Sequence, residues 1–161
     1  MPHLDAAFSL ARFLMRNQDD AEDVVQEASL RAFRFYESFR GGNSRAWFLS
    51  IVRNAAFTAL KRQRTDDSHV EFDEELHSGE SAPADPGVEL DREVDRETVR
   101  AAIEELPPEF REVITLRELE EYSYKEIADI AGIPIGTVMS RLARAREQLH
   151  QILSQSYGRE T

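Results

Sequence analysis

The sequence contains no cysteine, which excludes disulfide bonds, cysteine-based zinc sites and thiol redox switches within this chain. Aromatic residues make up only 9% of the 161 residues. No apolar run approaches the ~18 residues that a membrane-spanning helix needs. The segment 1–18 also lacks the basic cluster and small-residue cleavage site of a signal peptide, so we expect it to form a first helix. These absences suit a cytoplasmic protein without membrane insertion.

Catalytic patterns are missing as well. The pair Gly41-Gly42 is too little for a phosphate-binding loop, and neither an HExxH nor a GxSxG pattern occurs. The four histidines, at positions 3, 69, 77 and 150, show no metal-ligand spacing. The sequence therefore predicts no enzyme activity, no cofactor and no metal site.

Positive charge is scarce, since 20 Lys and Arg residues face 31 Asp and Glu residues, for a formal net charge of −11. The net charge is +3 over residues 1–64, −10 over 65–100 and −4 over 101–161. Because charges in salt solution are screened over ~8–10 Å, a locally basic surface can still attract phosphates. The C-terminal part alone is expected to bind DNA weakly and to need a larger partner that holds it there.

Helical periodicity dominates the chain, and no segment has the pattern of a β-strand. Apolar residues recur three and four positions apart at 4–16, 21–39, 44–64, 89–105, 108–119 and 124–153. Residues 65–88 are instead acidic and rich in Ser, Gly, Pro and Asp, as expected of a linker that is disordered in isolation. We therefore predict an all-α fold of two small helical domains, 1–64 and 89–161, joined by this acidic linker.

The stretch Tyr124–Leu153 has the layout of two helices around a turn. Ser123 and Glu126 have capping-box spacing, and Gly132 followed by Pro134 predicts the turn. The second helix is predicted to bury Ile135, Val138, Leu142, Ala145, Leu149 and Ile152. Its other face carries Thr137, Ser140, Arg141, Arg144, Gln148 and Gln151. This layout is typical of a DNA-reading helix-turn-helix, and an ordinary helical hairpin with a solvated basic face is the alternative.

A second candidate surface lies on the helix predicted at 44–64. Trp47, Asn54 and Lys61 fall on one face of this helix, which follows the basic loop 40–45. An aromatic ring interleaved with basic and amide side chains suits single-stranded nucleic acid, which is bound by base stacking and phosphate neutralisation. For Trp47 alone, packing in the protein interior is at least as good an interpretation.

Two segments resemble conserved regions of bacterial sigma factors. The second region is similar to DAEDVVQEASLRAFRFYESFRGGNSRAWFLSIVRN, and the fourth to LPPEFREVITLRELEEYSYKEIADIAGIPIGTVMSRLARAREQL. With only a linker between them, the chain resembles the compact extracytoplasmic-function group of the sigma-70 family. The resemblance covers nearly everything outside 65–88, and DAEDVVQE followed by GTVMSRLARAR is its most specific part.

The resemblance implies a protein that binds core RNA polymerase and directs it to a class of promoters, whose duplex DNA it recognises and melts. The residues that match the polymerase-docking surface are Glu22, Asp23, Gln26, Glu27 and Arg31. Those that match contacts to the minus-ten element and its melted non-template strand are Arg40, Asn43, Arg45, Trp47, Asn54 and Lys61, with Asn43 as the base contact. Those that match the reader of the minus-thirty-five element are Thr137, Ser140, Arg141 and Arg144.

The family further implies a monomer when free, a 1:1 complex with an anti-sigma factor, and a regulatory role such as a stress response. The acidic linker resembles one that enters the RNA path of the polymerase, and a passive tether is an equal interpretation. A stand-alone helix-turn-helix regulator and a sigma mimic that sequesters an anti-sigma protein are the alternative functions. Two departures affect the sites: Met139 stands where many relatives carry a basic residue, and the leading helix is short for the family.

Overall fold

A computed structural model describes residues 3–39, 41–66 and 95–159. All regular secondary structure in these ranges is helical, which confirms the predicted all-α fold. The helices are α1 (Leu4–Met15), α2 (Gln18–Arg34), α3 (Ser44–Asp66), α4 (Arg96–Glu104), α5 (Pro108–Ile114), α6 (Tyr124–Ala131) and α7 (Ile135–Arg159). A 3-10 turn at Tyr36–Ser38 follows α2, and a π-helical turn at Thr115–Leu119 continues α5. Within the described ranges, no helix is long and apolar enough to cross a membrane.

The second helix begins three residues earlier than predicted. The side chain of Asn17 accepts a hydrogen bond from the backbone N–H of Asp20 at 2.8 Å and so caps α2. Because the Asn17 side chain already accepts a backbone N–H of the first turn, the helix begins directly after Asn17, and Asp20 lies inside the helix and is not its N-cap. The prediction that this helix reaches residue 39 was also wrong. It ends at Arg34, and the following aromatic residues at 35 and 36 are half or more exposed.

The N-terminal half, residues 3–66, is a bundle of α1, α2 and α3. Its interior is formed by small and branched side chains at helical spacing, because each helix turns one apolar stripe inward. The fully buried residues include Leu10, Leu14, Ala28, Leu49, Val52 and Ala56. Helix α3 runs through Thr65 and Asp66, the first two residues of the predicted linker. The rest of the linker lies outside the described residues.

The C-terminal half, residues 95–159, contains the helix-turn-helix that the sequence predicts. The Ser123 side chain accepts the Glu126 backbone N–H, and the Glu126 side chain accepts the Ser123 backbone N–H, both at 3.1 Å. Gly132 ends α6 with a φ of 70°, a left-handed conformation that glycine adopts without a Cβ clash. Upstream, Pro108 is the first residue of α5, where its missing N–H costs nothing.

The two halves pack against each other. Helix α3 lies against α6, and α1 lies against α5, so that buried residues of both halves form one continuous core. We call this arrangement the closed state. The boundaries of the two predicted domains stay a prediction, because a packed interface does not decide whether each half folds alone.

Candidate nucleic-acid and protein interfaces

The outer face of α2 carries the residues that the sequence assigns to polymerase docking. The exposed members of this set are Glu22, Asp23, Gln26 and Glu27. Arg31 is half-buried, and its guanidinium group binds the Glu27 carboxylate at 2.8 Å across one helical turn. The inner face of the same helix is buried through Val24, Val25 and Ala28. The exposed docking candidates are therefore accessible to a partner protein in the closed state.

An apolar extension of this face was missed by the sequence analysis. Leu30 is 63% exposed and Phe33 is 87% exposed. At ~100° per residue, Leu30 lies one turn beyond Gln26, and Phe33 continues the same stripe. The signal was present, since neither residue falls on the stripe of Val24 and Ala28 that faces the core. Adjoining exposed apolar side chains of this size are a mark of protein contact sites.

The loop before α3 turns toward the C-terminal half. Asn43 caps α3, because its side-chain oxygen accepts the backbone N–H of Ala46 at 3.1 Å. Its amide nitrogen donates to the Glu126 Oε2 at 3.1 Å, across the interface between the halves. Gly41 and Gly42 give the loop φ angles of 88° and 91° that side chains disfavour. The base-contact candidate is thus held in a fixed position by a carboxylate.

Arg45 shares the same carboxylate. Its guanidinium group donates to the Glu126 Oε2 at 3.1 Å and lies 4.4 Å above the centre of the Tyr122 ring. Tyr122 is only 2% exposed, so the arginine covers a ring that belongs to the interior of the C-terminal half. Arg40, the remaining basic candidate of this loop, lies outside the described residues.

The other minus-ten candidates occupy a different face of α3. Trp47, Asn54 and Lys61 lie within ~40° of one another around the helix, and Arg45 lies more than ~150° away from them. Asn54 and Lys61 are exposed, whereas Trp47 is half-buried with its ring 5.1 Å from that of Phe39. Trp47 also packs against the core, so its two predicted roles are both compatible with its position. Arg45 therefore lies on a different face of α3 from this stripe.

A buried ion pair joins α3 to α5. The Arg53 Nε donates to the Glu112 Oε2 at 2.6 Å, and Arg53 also lies 4.2 Å above the Phe57 ring centre. Glu112 is completely buried. Burial raises the pKa of its carboxyl group, and the positive charges of Arg53 and Arg141 oppose that rise. The pair ties the N-terminal half to the C-terminal half, with the carboxylate fully buried and the Arg53 side chain 19% exposed.

Arg111, the neighbour of this glutamate, is buried between the same halves. Its guanidinium group donates to the backbone carbonyl of Leu106 at 2.6 Å and to that of Leu14 at 2.8 Å. Burial lowers the pKa of Arg111 to about 10, and the positive charge of Arg16 adds to that effect. The side chain stays charged at neutral pH and caps the C-terminal end of α1, where a helix has unpaired carbonyl groups.

The minus-thirty-five candidates on α7 differ in how far they are exposed to solvent. Ser140 is exposed and lies ~170° around the helix from the centre of its buried stripe, whereas Arg144 lies ~130° and Arg141 only ~70° from it. Thr137, Arg141 and Arg144 are accordingly half-buried. Arg141 also acts on the pKa of Glu112, which places this arginine on the flank nearest the interface.

The first turn of α7 corrects one prediction. Ile135 was predicted to be buried, but it is 46% exposed, because it is the first residue of α7 and precedes Val138, the first buried residue of that helix. Met139, one turn later, is 53% exposed. Ile135 and Met139 lie within ~40° of each other around α7, and Met139 lies ~100° around the helix from Ser140. An exposed apolar pair at this point can contact thymine methyl groups in a major groove.

Comparisons with known proteins match the N-terminal half and the C-terminal half to two separate families. The family described as Sigma-70 region 2 matches residues 1–65, and the family described as Sigma-70, region 4 matches residues 96–149. The chain is 34% identical over 155 residues to the ECF RNA polymerase sigma factor SigE of Mycolicibacterium smegmatis. That alignment covers 94% of this chain and 59% of the relative, so the chain spans less than two thirds of that protein.

Other relatives are covered more completely. The chain is 38% identical over 151 residues to the ECF RNA polymerase sigma-E factor of Haemophilus influenzae, which covers 87% of this chain and 77% of the relative. Among solved structures, the sigma factor RpoE of Bartonella quintana, crystallised in complex with the anti-sigma factor NepR, is similar in fold. Its TM-score is 0.71 at 31% identity, over 94% of this chain and 92% of that chain.

Proposed function

The chain belongs to the extracytoplasmic-function group of the sigma-70 family and is therefore a sigma factor of RNA polymerase. We propose which of its surfaces bind the polymerase and which bind the promoter. It binds core polymerase through the outer face of α2 and promoter DNA through α3 and α7. It has no catalytic activity of its own and acts in the cytoplasm, where it also meets an anti-sigma factor. The match to both regions favours this function over a stand-alone regulator, which would have no use for region 2.

The observation that carries the proposal is the exposed outer face of α2. Asp23, Gln26 and Glu27 present two carboxylates and an amide within the segment that matches region 2. The same face continues into Leu30 and Phe33, which the core leaves uncovered. An apolar centre beside a charged border is a common composition for a protein interface, since the apolar part supplies affinity and the charges supply specificity.

The promoter contacts follow the two DNA-facing surfaces. At the minus-ten element, Asn43 contacts a flipped base, and Arg40 and Arg45 neutralise phosphates beside it. Trp47, Asn54 and Lys61 line the melted non-template strand along α3. The acidic linker passes between the two surfaces, either along the RNA path of the polymerase or as a tether.

At the minus-thirty-five element, α7 enters the major groove. Arg144 reads a base edge and Arg141 mainly holds phosphate, with Thr137 and Ser140 at their side. Met139 adds apolar contact to thymine methyl groups. Met139 therefore replaces a basic contact with an apolar one, which changes the preferred base without removing the surface from the interface.

The test is the affinity of the full chain for core polymerase. The triple variant Asp23→Ala, Gln26→Ala, Glu27→Ala should bind core polymerase about tenfold or more weakly, since several charge-assisted contacts are lost. Its fold should persist, because exposed positions cost about 0.5 kcal/mol or less each. A matched control, Asp5→Ala, Gln63→Ala, Glu97→Ala, removes the same side-chain types from exposed positions elsewhere. Unchanged core affinity in the α2 variant would remove the docking role from this face.

A further inference from the structure

A single guanidinium group, that of Arg146, joins α7 to the segment in front of the helix-turn-helix. Its Nε donates to the Glu118 Oε1 at 2.8 Å, and its Nη2 lies 2.7 Å from the same oxygen. Burial alone would lower the pKa of Arg146, but the hydrogen bond and charge of Glu118 and the hydrogen bond to the Tyr124 side chain outweigh burial and raise it. We call Glu118, Tyr124 and Arg146 the Arg146 cluster.

The three members of the Arg146 cluster come from three elements. Glu118 belongs to the π-helical turn after α5, Tyr124 is the first residue of α6, and Arg146 lies in the middle of α7. The Arg146 side chain is 32% exposed and that of Glu118 is 42% exposed. An ion pair this exposed adds little to stability, whereas a planar guanidinium group with donors in fixed directions specifies an orientation. The cluster therefore acts mainly on how the helices of the motif are oriented.

The π-helical turn sets the direction of the Glu118 side chain. The backbone N–H of Glu120 donates to the Thr115 carbonyl at 3.1 Å, five residues back, where an α-helix would bond four residues back. This turn has a cost, because the Thr115 side chain is fully buried and its hydroxyl group has no hydrogen-bond partner among the described residues. Unfavourable local geometry of this kind is frequent at functional sites, and here it directs a carboxylate toward the reader helix.

Arg146 lies on a different face of α7 from the reading residues. It is ~70° around the helix from the centre of the buried stripe, on the flank opposite to Arg141, and ~160° from Arg144. Met139 lies on the same flank as Arg146, ~20° away and two turns earlier. With its guanidinium group bound to Glu118, Arg146 faces the protein and not the groove of the DNA.

Reading a base edge needs an accurate rotation of α7 about its own axis. Groups on the surface of a helix lie ~6 Å from its axis, so a rotation of ~20° moves them by ~2 Å. Hydrogen bonds to bases tolerate less, since their donor–acceptor distances span only ~2.7–3.2 Å. The apolar stripe does not secure this rotation at the start of α7, because apolar contact is non-directional and Ile135 and Met139 are 46% and 53% exposed.

We propose that Arg146 is a positioning residue for promoter reading, held in place by Glu118 and Tyr124. Its contacts fix the rotation at which α7 presents Ser140 and Arg144 to the minus-thirty-five element, and Arg146 itself does not contact DNA. This inference rests on the proposed function, since it takes the reading roles of Ser140 and Arg144 from it. Loss of the cluster relaxes the base preference and leaves polymerase docking and strand melting, which belong to α2 and α3, in place.

The test measures transcription by the holoenzyme on duplex promoters with matched or single-base-changed minus-thirty-five elements. Arg146→Leu and Glu118→Gln should each reduce the discrimination between these templates about fivefold, as expected when a base contact is displaced. Core affinity and transcription from a pre-melted template should stay unchanged. The matched control is Arg12→Leu, which breaks a 3.1 Å ion pair of similar exposure outside the helix-turn-helix and should leave discrimination unchanged.

Exchange of the two charges separates positioning from DNA contact. In the double variant Glu118→Arg, Arg146→Glu the ion pair can form again with reversed polarity, and most of the lost discrimination should return. If Arg146 held a phosphate instead, a glutamate at its position would repel the DNA backbone, and the exchange would be worse than Arg146→Leu. The neutral pair Glu118→Gln, Arg146→Leu is a second measure, and its effect should equal that of either single variant, because both break the same contact.

The orientation of α7 can also be measured without polymerase. Because the chain has no cysteine, spin labels can be placed at the exposed positions Met139→Cys in α7 and Glu97→Cys in α4 without removing a native thiol. Pulsed dipolar spectroscopy then gives the distribution of distances between them. This distribution should broaden in Arg146→Leu and in Glu118→Gln and keep its wild-type width in Arg12→Leu.

Several outcomes overturn the positioning role. Unchanged discrimination in Arg146→Leu would show that reading does not depend on the cluster. Full discrimination in Glu118→Gln, additive effects in the neutral pair, or an exchange worse than Arg146→Leu would show that Arg146 acts apart from Glu118. If the wild-type holoenzyme does not distinguish the templates, it is the proposed function that fails, and the distance distributions alone then decide whether the cluster holds α7.

Discussion

Glu112 joins the two halves at the level of a single residue. Its carboxylate meets Arg53 of α3 at 2.6 Å, and it is fully buried. The charged groups that act on it are Arg53 from α3, Arg141 from α7 and Glu109 from its own helix. Since desolvation outweighs the attraction of the arginines, the pKa of Glu112 lies above its ordinary value. Ionising the buried Glu112 carboxyl group costs free energy in the folded chain, so the stability of the closed chain depends on pH.

The sign of that dependence follows from linkage. An acid whose pKa is raised in the folded chain holds its proton there while the unfolded chain releases it, so its contribution to stability falls as pH rises above the ordinary value. We expect the free energy of unfolding of wild type, relative to Glu112→Gln, to decrease from pH 4.5 toward pH 7.5. Urea denaturation of both proteins in a series of buffers measures it.

Glu104→Gln provides the control for this pH series. Glu104 pairs with Arg12 at 3.1 Å across the same interface but remains about a quarter exposed, so its charge is partly solvated. Glu104→Gln therefore shows, in the same buffers, how the loss of a partly exposed ion pair between the halves changes the free energy of unfolding. A wild-type advantage over Glu112→Gln that grows with pH would mean that Arg53 outweighs burial and that the assigned direction is wrong.

Buried charged residues of this kind could not be predicted from the sequence. The spacing of Phe110, Val113 and Ile114 predicts the buried stripe of α5 correctly, and all three are fully buried. The apolar spacing does not indicate that Arg111 and Glu112 are buried too, and charged residues are rarely buried unless paired. Their partners at Leu14 and Arg53 are 97 and 59 residues away in sequence, so no local pattern could reveal them.

At the scale of elements, the turn between α6 and α7 fixes the direction of the reader helix. Gly132 has a φ of 70°, which a side chain disfavours, whereas Gly136 lies in the first turn of α7 in open space. We predict that Gly132→Ala lowers the free energy of unfolding by about 1–2 kcal/mol, because alanine is strained in the left-handed region. Gly136→Ala should instead raise it by up to about 1 kcal/mol, because alanine has the higher helix propensity. Denaturation in urea compares them directly.

The two alanines add the same methyl group four residues apart, so each is the control for the other. Equal effects of the two substitutions would contradict the role of the left-handed turn. The element boundaries that were predicted correctly share this kind of local cause: the capping box at Ser123, the turn at Gly132 and the proline start at Pro108. The end of α2 was predicted wrongly because aromatic residues at helical spacing continue past Arg34.

At the scale of the whole molecule, the closed state is the feature that the sequence left undetermined. Periodicity and composition predict two helical regions on either side of an acidic segment, and the family matches fall on those regions. They contain no information on how the regions face each other. That arrangement depends on the apolar core that the two halves share and on polar contacts between distant residues, such as Arg12 with Glu104 and Asn43 with Glu126.

We expect the contact of Arg111 with the other half to couple the unfolding of the two halves. It is contributed by the C-terminal half and satisfies the backbone carbonyl of Leu14 in the N-terminal half. Trp47 is the only tryptophan of the chain and lies in the N-terminal half, so its fluorescence reports on that half, whereas far-UV circular dichroism reports on all helices. In wild type we expect the two signals to change at the same urea concentration, as they do for a single cooperative unit.

Arg111→Met should separate these two transitions. The substitution leaves two buried carbonyl groups without a donor, at a cost of about 1–3 kcal/mol each, and weakens the contact between halves more than either half itself. Arg117→Met is the matched control, because Arg117 also donates to a carbonyl, that of Tyr122 at 2.9 Å, but within the C-terminal half. It should lower the midpoint while the two signals stay together. Coincident transitions in Arg111→Met, or separate ones already in wild type, would show that Arg111 does not couple the halves.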